Sequence, residues 1–487
     1  VQIDVFLKGD FPSGFKKLAN STDETLQQFK EIAGKKLQYR FINPDAEVEG
    51  TNIKWADTLS ALGFYPINLT SQIKSGQQQQ NIYPVAFVHY KENVLPVMIY
   101  QGKTKAITYP EINSAEALME FNFINVINKL TSKEKATIIY SAGNGEPLDA
   151  RTYDLAENVL KPNYQFQPVN LNEIPRIPDM VQVLLIVKPT EKFSNEEKLK
   201  IDQFVMRGGK LILFVDKLNA ELDSLKTKKG EVVAYDRGLE LNDLLYKYGV
   251  RINSDLVMDL QCDFLPFDVN GNGQFELLPW NYFPVFETKS NHIINKNLGF
   301  VSGRFVNSID TVEVAGIKKT ILLSSSPNSR TIATPALISV LENVNAPEND
   351  KFKKANIPVA YLLEGKFSSL YNNRLSQAMS DSLKKYGAVF MPQGITNNKI
   401  IVVADGDIVL NSVVKGQPIP MGLNPYTYGS QREFAFANKD FLQNCLDYLI
   451  NSSNLSEAKA KDYTLRLLDK DKMETGKTTW QLINILV

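Results

Sequence analysis

Residues 181–216, VQVLLIVKPTEKFSNEEKLKIDQFVMRGGKLILFVD, have the pattern of a strand, a helix and a second strand. Val181–Val187 and Lys210–Val215 are apolar runs, and Phe193–Val205 between them carries apolar residues spaced for one helix face. The pair Gly208-Gly209 is a helix stop signal. Because neither apolar run alternates with polar residues, both strands are predicted to be buried on two faces, as in a parallel sheet covered by helices. The stretch therefore predicts an α/β fold.

Composition sets the size and the class of the protein. The chain has 487 residues, enough for two or three domains, and its formal net charge is zero. This balance gives no support to nucleic acid as a partner. The short basic cluster Lys226–Lys229 is interpreted as a solvated loop.

The first domain is predicted to be thioredoxin-like and to span residues 1–112. Predicted strands and helices follow one another in the order β-α-β-α-β-β, which is the order of that fold. Tyr83-Pro84 precedes the third strand, where the fold often places a cis-proline. Redox chemistry needs a CxxC motif at the first helix, and Gly9–Gly14 occupies that place without a cysteine. The polar tract Ser71–Gln80 is predicted to be a loop.

A connecting helix is predicted next, at residues 113–131. Its apolar pattern covers Ser114–Leu130, and Ser114 is a suitable N-cap. We expect this helix to lead into a larger, mostly parallel α/β domain at 132–450. Within that domain, residues around 261–315 are expected to form an insertion.

Two polar turns in the larger domain are candidate ligand or partner sites. Gly143-Asn144-Gly145-Glu146 follows the apolar strand Ala136–Tyr140, and Asp405-Gly406-Asp407 follows Ile400–Val403. Both turns follow strand ends, so Asn144, Glu146, Asp405 and Asp407 could face one crevice, the usual ligand position in open α/β sheets. The alternatives are a tight strand-to-helix turn at the first place and helix capping at the second.

Chemical motifs are few elsewhere in the chain. Asp268–Gly273 matches the first half of an EF-hand loop, but Pro279 stands where the bidentate glutamate belongs, so a hairpin tip is favoured. The sequence lacks nucleophile-elbow, Walker and zinc-site patterns. No catalytic residue, cofactor or metal is predicted, and the absences together favour a protein that is not an enzyme. Cys262 and Cys445 could form a disulfide, and the sequence leaves this open.

The final residues allow two interpretations. Trp480–Val487 is a tryptophan followed by a rising apolar run, which is how membrane helices begin. An ordinary amphipathic helix is the alternative.

Several stretches together resemble one known family. They are Val5–Pro12 with Phe41–Pro44, Gly208–Asp216, Leu363–Phe367, Val402–Asp407, Asn438–Phe441 and Trp480–Asn484. Over almost its full length the chain resembles the GldG family of gliding-motility-associated ABC transporter auxiliary, or substrate-binding, proteins of Bacteroidetes.

The resemblance carries several expectations. It implies a periplasmic region anchored in the inner membrane by an N-terminal and a C-terminal helix, with residues 451–487 as a linker into the latter. It implies a membrane permease and a cytoplasmic ATPase as partners, other gliding or secretion components as possible ones, and no nucleic acid. It also implies that the larger domain resembles the glutamine-amidotransferase-like fold without its Cys-His pair.

Two functions remain open at this point. The chain is expected to be a non-enzymatic module that docks a partner or transmits motion within the transporter. The alternative is a solute receptor, which needs a cleft lined with convergent polar groups.

Overall fold

The structure is a computed structural model that describes residues 1–64, 66–73, 76–100, 109–132, 135–227, 230–268, 272–287, 292–296, 298–340 and 349–450. The described residues fall into two compact units, Val1–Thr131 and residues 132–450. Each unit has a sheet with helices packed against it. The predicted α/β class is confirmed as a mixed α/β fold.

The first unit is built on a four-stranded sheet of order β2-β1-β5-β6. The pairing of β1 with β2 is parallel, and the pairings of β1 with β5 and of β5 with β6 are antiparallel. In chain order the elements are β1 Gln2–Val5, α1 Ser13–Ala33, β2 Gln38–Phe41, α2 Trp55–Ala61, β3 Ile67–Ile73, β4 Gly76–Ile82, β5 Val85–Tyr90, β6 Asn93–Met98 and α3 Tyr109–Thr131.

Helices α1 and α3 pack into the core of this unit. Phe15 and Leu18 of α1 and Met119 and Phe123 of α3 are buried in one cluster with the sheet. The predicted N-cap Ser114 is wrong, because α3 begins five residues earlier. Pro110 at its start is compatible with a first helical turn, where the missing N–H is not needed.

The predicted loop Ser71–Gln80 is also wrong. Strands β3 and β4 pair antiparallel, from Ile67 opposite Ile82 to Ile73 opposite Gly76. Main-chain hydrogen bonds form this hairpin, and they do not require the apolar alternation that identifies a half-buried strand. The Tyr83–Pro84 peptide bond, where a cis-proline was considered, is not cis.

The second unit is built on a seven-stranded sheet of order β18-β21-β22-β10-β9-β7-β8. Strands β7, β8, β9, β10 and β22 are parallel, and β21 and β18 complete the sheet antiparallel. Their bounds are β7 Thr137–Ala142, β8 Gln165–Asn170, β9 Val181–Val187, β10 Lys210–Phe214, β18 Ile317–Ser324, β21 Pro358–Gly365 and β22 Asn398–Val403.

Helices and short strands surround this sheet. The helices are α4 Lys161–Asn163, α5 Asn195–Met206, α6 Leu222–Thr227, α7 Asn242–Tyr248, α8 Gln377–Lys385 and α9 Asn438–Ile450. The short strands are β11 Glu231–Ala234, β12 Val250–Ile252, β13 Asp255–Asp259, β14 Cys262–Phe267, β15 Glu276–Phe286, β16 Val301–Ser302, β17 Ile309–Thr311, β19 Ser329–Ala333, β20 Ala336–Ser339, β23 Val413–Val414 and β24 Gln417–Pro418. A π-helix, Asp154–Leu160, leads into α4.

The predicted strand–helix–strand unit of residues 181–216 is confirmed. Strands β9 and β10 pair in parallel, and their alternate side chains enter two core clusters on opposite faces of the sheet. Helix α5 begins with a capping box formed by Ser194 and Glu197. It ends at the predicted glycine pair, where a Cβ on Gly209 would lie 2.2 Å from the Phe204 ring. Glycine is therefore required for the helix to turn back against its own strand.

Three other interpretations of the sequence can be compared with the structure. The turn that starts at Asp268 connects the antiparallel strands β14 and β15, so the hairpin interpretation is confirmed, although 269–271 lie outside the described residues. Cys262 and Cys445 are not joined by a disulfide. Within the described ranges, every helix is too short or too polar to cross a membrane, and Trp480–Val487 lies outside those ranges.

The sheet centre should dominate the stability of the second unit. Ile212 in β10 is completely buried, whereas Ile395 is 58% exposed. We expect Ile212→Ala to lower the free energy of unfolding by about 2–5 kcal/mol, because it removes buried methyl groups and leaves a cavity. Ile395→Ala is the matched control and should change it by less than about 0.5 kcal/mol. Urea unfolding followed by circular dichroism measures both, and equal effects would contradict the assigned core.

Candidate functional site

The carboxyl ends of the parallel strands meet along one edge of the second sheet. Strand β7 runs into the turn Gly143–Glu146, and β9 ends next to Lys188. Strand β10 is followed by Asp216, and β22 by Asp405 and Asp407. Ligands in open α/β folds usually bind at this edge, so it is the first place to look for a functional site.

A buried lysine lies at the centre of this edge. The Lys188 ammonium is 3.1 Å from Asp216 Oδ2, 3.1 Å from Glu221 Oε2 and 2.6 Å from Asp407 Oδ2. Its side chain is only 3% exposed. An ammonium group has three N–H donors, and here there is one carboxylate for each of them. We call Lys188, Asp216, Glu221, Asp405 and Asp407 the Lys188 cluster.

The turn after β22 is fixed to this cluster through its main chain. The Asp405 carboxylate accepts hydrogen bonds from the Arg304 and Asp407 main-chain N–H groups, at 2.8 and 2.7 Å. Gly406 N–H donates to Asp216. A Cβ on Gly406 would lie 2.5 Å from Lys188 Cβ, so the close approach of the turn to the lysine requires glycine.

The pKa shifts in the Lys188 cluster follow from burial and mutual attraction. Burial raises the pKa of Asp216 from 3.8 to about 6, although Lys188 acts in the opposite direction. Burial also raises the pKa of Asp405 well above its ordinary range, and the carboxylates of Asp216 and Asp407 add to the rise. For Asp407 burial is outweighed by Lys188 and Arg304, which lower its pKa.

The lysine itself is held in the charged form. Burial disfavours the ammonium, but the carboxylates of Asp216, Asp407 and Glu221 outweigh it and raise the pKa of Lys188. A nucleophilic lysine needs the opposite, a lowered pKa that frees the amine. The chemistry of Lys188 is therefore that of a buried cation that joins chain segments, not that of a nucleophile.

Asn144 and Glu146 form a separate hydrogen-bonded group. The main-chain carbonyl oxygen of Asn144 accepts hydrogen bonds from the main-chain N–H groups of Thr190 and Glu191, both at 2.9 Å. The Asn144 side-chain amide donates to Lys192 O. Asn144 N–H donates to Glu146 Oε2 at 2.7 Å. Burial raises the pKa of Glu146.

These contacts close the gap between β7 and β9. A Cβ on Gly145 would lie 2.0 Å from Thr190 Oγ1, so the Thr190 side chain packs directly against the Gly145 backbone and leaves no room for a larger residue. Strand β8 lies on one side of β7 and β9 on the other, which makes this gap the point where the strand order reverses. The position where a doubly wound sheet usually holds a ligand is thus occupied by the chain itself.

The four residues predicted from the sequence therefore lie at the expected edge but in two groups. Asp405 and Asp407 belong to the Lys188 cluster, and Asn144 and Glu146 belong to the turn that contacts residues 190–192. Sequence reasoning missed Lys188 and Asp216. The available signal was a charged residue at the end of each of two largely apolar runs, since such a charge must find a partner where the sheet ends.

The described residues offer little for metal chemistry. In those ranges there is no group of three or more histidine, cysteine, aspartate or glutamate side chains placed to hold an ion. The acidic side chains of the Lys188 cluster are already engaged by a cation and by main-chain N–H groups.

Comparison with known families matches most of the second unit to one family. Residues 135–445 match the family described as an ABC-type uncharacterized transport system, in its auxiliary component. The chain belongs to this family. The match spans all strands of the seven-stranded sheet and the whole Lys188 cluster. Membership supports an accessory, transporter-associated role. Residues 1–89 match a separate domain family of unknown function.

Other comparisons are less informative. Among solved structures, the chain is similar to the mmIFT52 N-terminal domain, with 13% identity, a TM-score of 0.35, and coverage of 65% of this chain and 98% of that one. It is also similar to the exo-β-1,4-mannosidase Op5Man5 from Opitutaceae bacterium strain TAV5, with 10% identity, a TM-score of 0.21, and coverage of 72% and 40%. Comparison with curated proteins gives no match.

Removing the central cation should destabilise the second unit strongly. Lys188→Met keeps the length of the side chain but leaves Asp216 and Asp407 buried without their partner. We expect a loss of about 3–5 kcal/mol in the free energy of unfolding, the usual cost of breaking a buried ion pair. Lys366→Met, at an exposed lysine, is the control. Urea unfolding measures both, and a loss below about 1 kcal/mol for Lys188→Met would contradict the assigned role.

The raised pKa of Asp216 predicts a pH dependence with a definite sign. Between pH 5 and 7 the folded state releases a proton from Asp216, with pKa about 6, while the unfolded state, with pKa 3.8, is already ionised. The folded state therefore loses stability as the pH rises, by about 1.4 kcal/mol from this group. Asp216→Asn cannot titrate, so it should lack this part of the slope. Unfolding at pH 5, 6 and 7 measures the difference, and identical slopes would contradict it.

Proposed function

We propose that this protein is a non-enzymatic, periplasmic component of an ABC transporter complex required for gliding motility. In this proposal it docks partner proteins or transmits motion between them. Family membership supports a transporter-associated role, and the resemblance to the GldG family of Bacteroidetes supports the connection to gliding.

The single observation that carries the docking proposal is the closed edge of the second sheet. A solute receptor needs a cleft with polar groups that are free to contact the solute. Here the Lys188 ammonium is surrounded by its own carboxylates, and Asn144 is bonded to the turn at residues 190–192. The pairing of Lys188 with its own carboxylates favours a structural use of this edge, although Asn144 Oδ1 and Glu146 Oε1 are buried there without a hydrogen-bond partner in the part of the chain that the structure describes.

We also propose a fold for each of the two units, and both folds are compatible with a docking function. We propose that the first unit is thioredoxin-like, on the order of its elements and the layout of its sheet. It has no cysteine, since both cysteines of the chain lie in the second unit, and it therefore lacks the residues for thiol chemistry. We propose that the second unit is amidotransferase-like but adapted to protein contact.

The proposed partners are a membrane permease and a cytoplasmic ATPase of the same complex. Anchoring would come from helices at the two ends of the periplasmic region, with residues 451–487 leading into the second of them. Other components of the gliding or secretion machinery are further candidates for contact.

A solute receptor of the same transporter is the second candidate. It is favoured by one observation, namely that Asn144, Glu146, Asp405 and Asp407 all lie at the edge where α/β proteins bind ligands. A receptor would have to open the contacts between Asn144 and residues 190–192.

One experiment separates the two candidates. The complete complex is purified from native membranes through a tag on this protein, and ATP hydrolysis is measured with and without panels of sugars, peptides, nucleotides and lipids. We expect the permease and the ATPase to co-purify, and the hydrolysis rate to change less than about twofold with any solute, because Lys188 is paired within the protein and the Asn144 amide is bonded to Lys192 O.

The same complex carrying Asn144→Ala is the control. Stimulation by one solute that is lost in this variant would support the receptor and contradict the docking proposal. Failure of the permease and the ATPase to co-purify at all would contradict both.

A further inference from the structure

A second polar surface of the second unit carries two cations, Lys247 and Arg374, that have no ion pair among the described residues. A groove of about 760 Å³ lies between α7 and the chain that follows β21. Its polar walls include Asn242, Tyr246 and Lys247 on one side and Asn372, Asn373 and Arg374 on the other. No member of the Lys188 cluster lines it.

Both walls of the groove are held in place by one buried carboxylate. Asp202 of α5 is fully buried and accepts hydrogen bonds from Ser369 Oγ at 2.6 Å and from Leu370 N–H at 2.9 Å. It also accepts from Tyr248 OH of α7, at 3.0 Å. Asp202 therefore fixes the chain leading to Asn372–Arg374 and the end of α7 at the same time. A site whose walls are fixed beforehand loses less conformational entropy when it binds.

The groove has an excess of positive charge. Its carboxylate, Asp243, is already paired with Lys198 at 2.8 Å. Across the ranges that the structure describes, neither Lys247 nor Arg374 forms an ion pair or a side-chain hydrogen bond. Arg374 is exposed, and its planar guanidinium group can bind a carboxylate through two parallel hydrogen bonds. The groove thus complements a negatively charged ligand.

The other lining residues indicate what kind of ligand carries this charge. The amides of Asn372 and Asn373 each offer a donor and an acceptor, which is the pair of groups that a peptide unit presents. Asn372 and Asn373 are both exposed, and the Tyr246 ring is 58% exposed beside them. Tyrosine and arginine are among the residues that most often supply binding energy at protein interfaces. The volume is more than tenfold the roughly 30 Å³ occupied by one water, so the groove exceeds the size of a simple ion.

We propose that this groove binds an extended, acidic segment of a partner protein. Arg374 and Lys247 bind the carboxylates of the segment, the Asn372 and Asn373 amides bond to its main chain, and Tyr246 packs against its side chains. The inference rests on the proposed docking function and assigns that function a surface and a partner chemistry.

The test uses the full chain and two peptide sets that differ only in charge. Fluorescein-labelled hexapeptides with Asp or Glu at three positions are compared, by fluorescence anisotropy, with the same peptides carrying Asn or Gln there. We expect the acidic set to bind at least tenfold more tightly. Arg374→Gln and Lys247→Gln should each weaken binding of the acidic set about tenfold, and Tyr246→Ala should weaken binding of both sets.

Controls separate the groove from general charge effects. Arg432→Gln removes an exposed arginine that contacts Phe264 and Leu277, outside the groove, and should leave binding unchanged. Circular dichroism confirms that each variant folds. Trigalacturonate and inorganic phosphate serve as competitors, and we expect neither to displace the acidic peptides at equal concentration.

Three results would overturn the proposal. They are equal binding of the acidic and amide sets, unchanged binding by the Arg374 and Lys247 variants, and displacement of the peptides by trigalacturonate, which would make the groove a site for acidic saccharides. Co-purification of the permease and the ATPase with wild-type protein is scored separately. The groove proposal can therefore fail while the docking function stands.

Discussion

The pairing of Lys188 with three carboxylates is the interaction on which the second unit depends. The residues involved follow β9, β10 and β22, so one ammonium group joins the ends of three parallel strands. A buried cation is tolerated only when it is paired, and breaking such a group costs far more than the net stability it contributes. The close approach of Gly406 and the turn bonded to Asp405 both follow from the need to enclose this lysine.

The pairing of Lys188 limits how the carboxyl edge of the sheet can be used. The carboxyl edge of a parallel sheet is the usual ligand position, yet in this protein the charges of the Lys188 cluster are paired with one another and with main-chain groups, and of the described polar atoms at this edge only Asn144 Oδ1, Glu146 Oε1 and Ser141 Oγ are buried without a partner. Among the described residues, Lys247 and Arg374 are cations without an ion pair, and both line the groove beside α7. The same α/β framework thus carries its paired charges at the sheet edge and its unpaired cations on a different surface.

Much of the framework could be predicted from local sequence, but the site only in part. The runs Val181–Val187 and Lys210–Val215 and the Gly208-Gly209 stop define β9, α5 and β10 because burial and helix termination are local signals. The same reasoning placed Asp405 and Asp407 at a strand end. It did not anticipate the contact of Asn144 with Thr190, because that contact depends on tertiary packing, nor the β3–β4 hairpin, whose polar sequence lacks strand alternation.

The central claim is that Lys188 is permanently charged and enclosed by its own carboxylates. The most direct test is acylation of the folded wild-type protein with an amine-reactive acetyl ester at pH 8, followed residue by residue with mass spectrometry. We predict that Lys188 stays unmodified while the exposed Lys366 reacts fully, and that Lys188 reacts once the protein is unfolded in urea. Modification of Lys188 in the folded protein at the rate of Lys366 would contradict the account, because it would mean an open edge with a free amine.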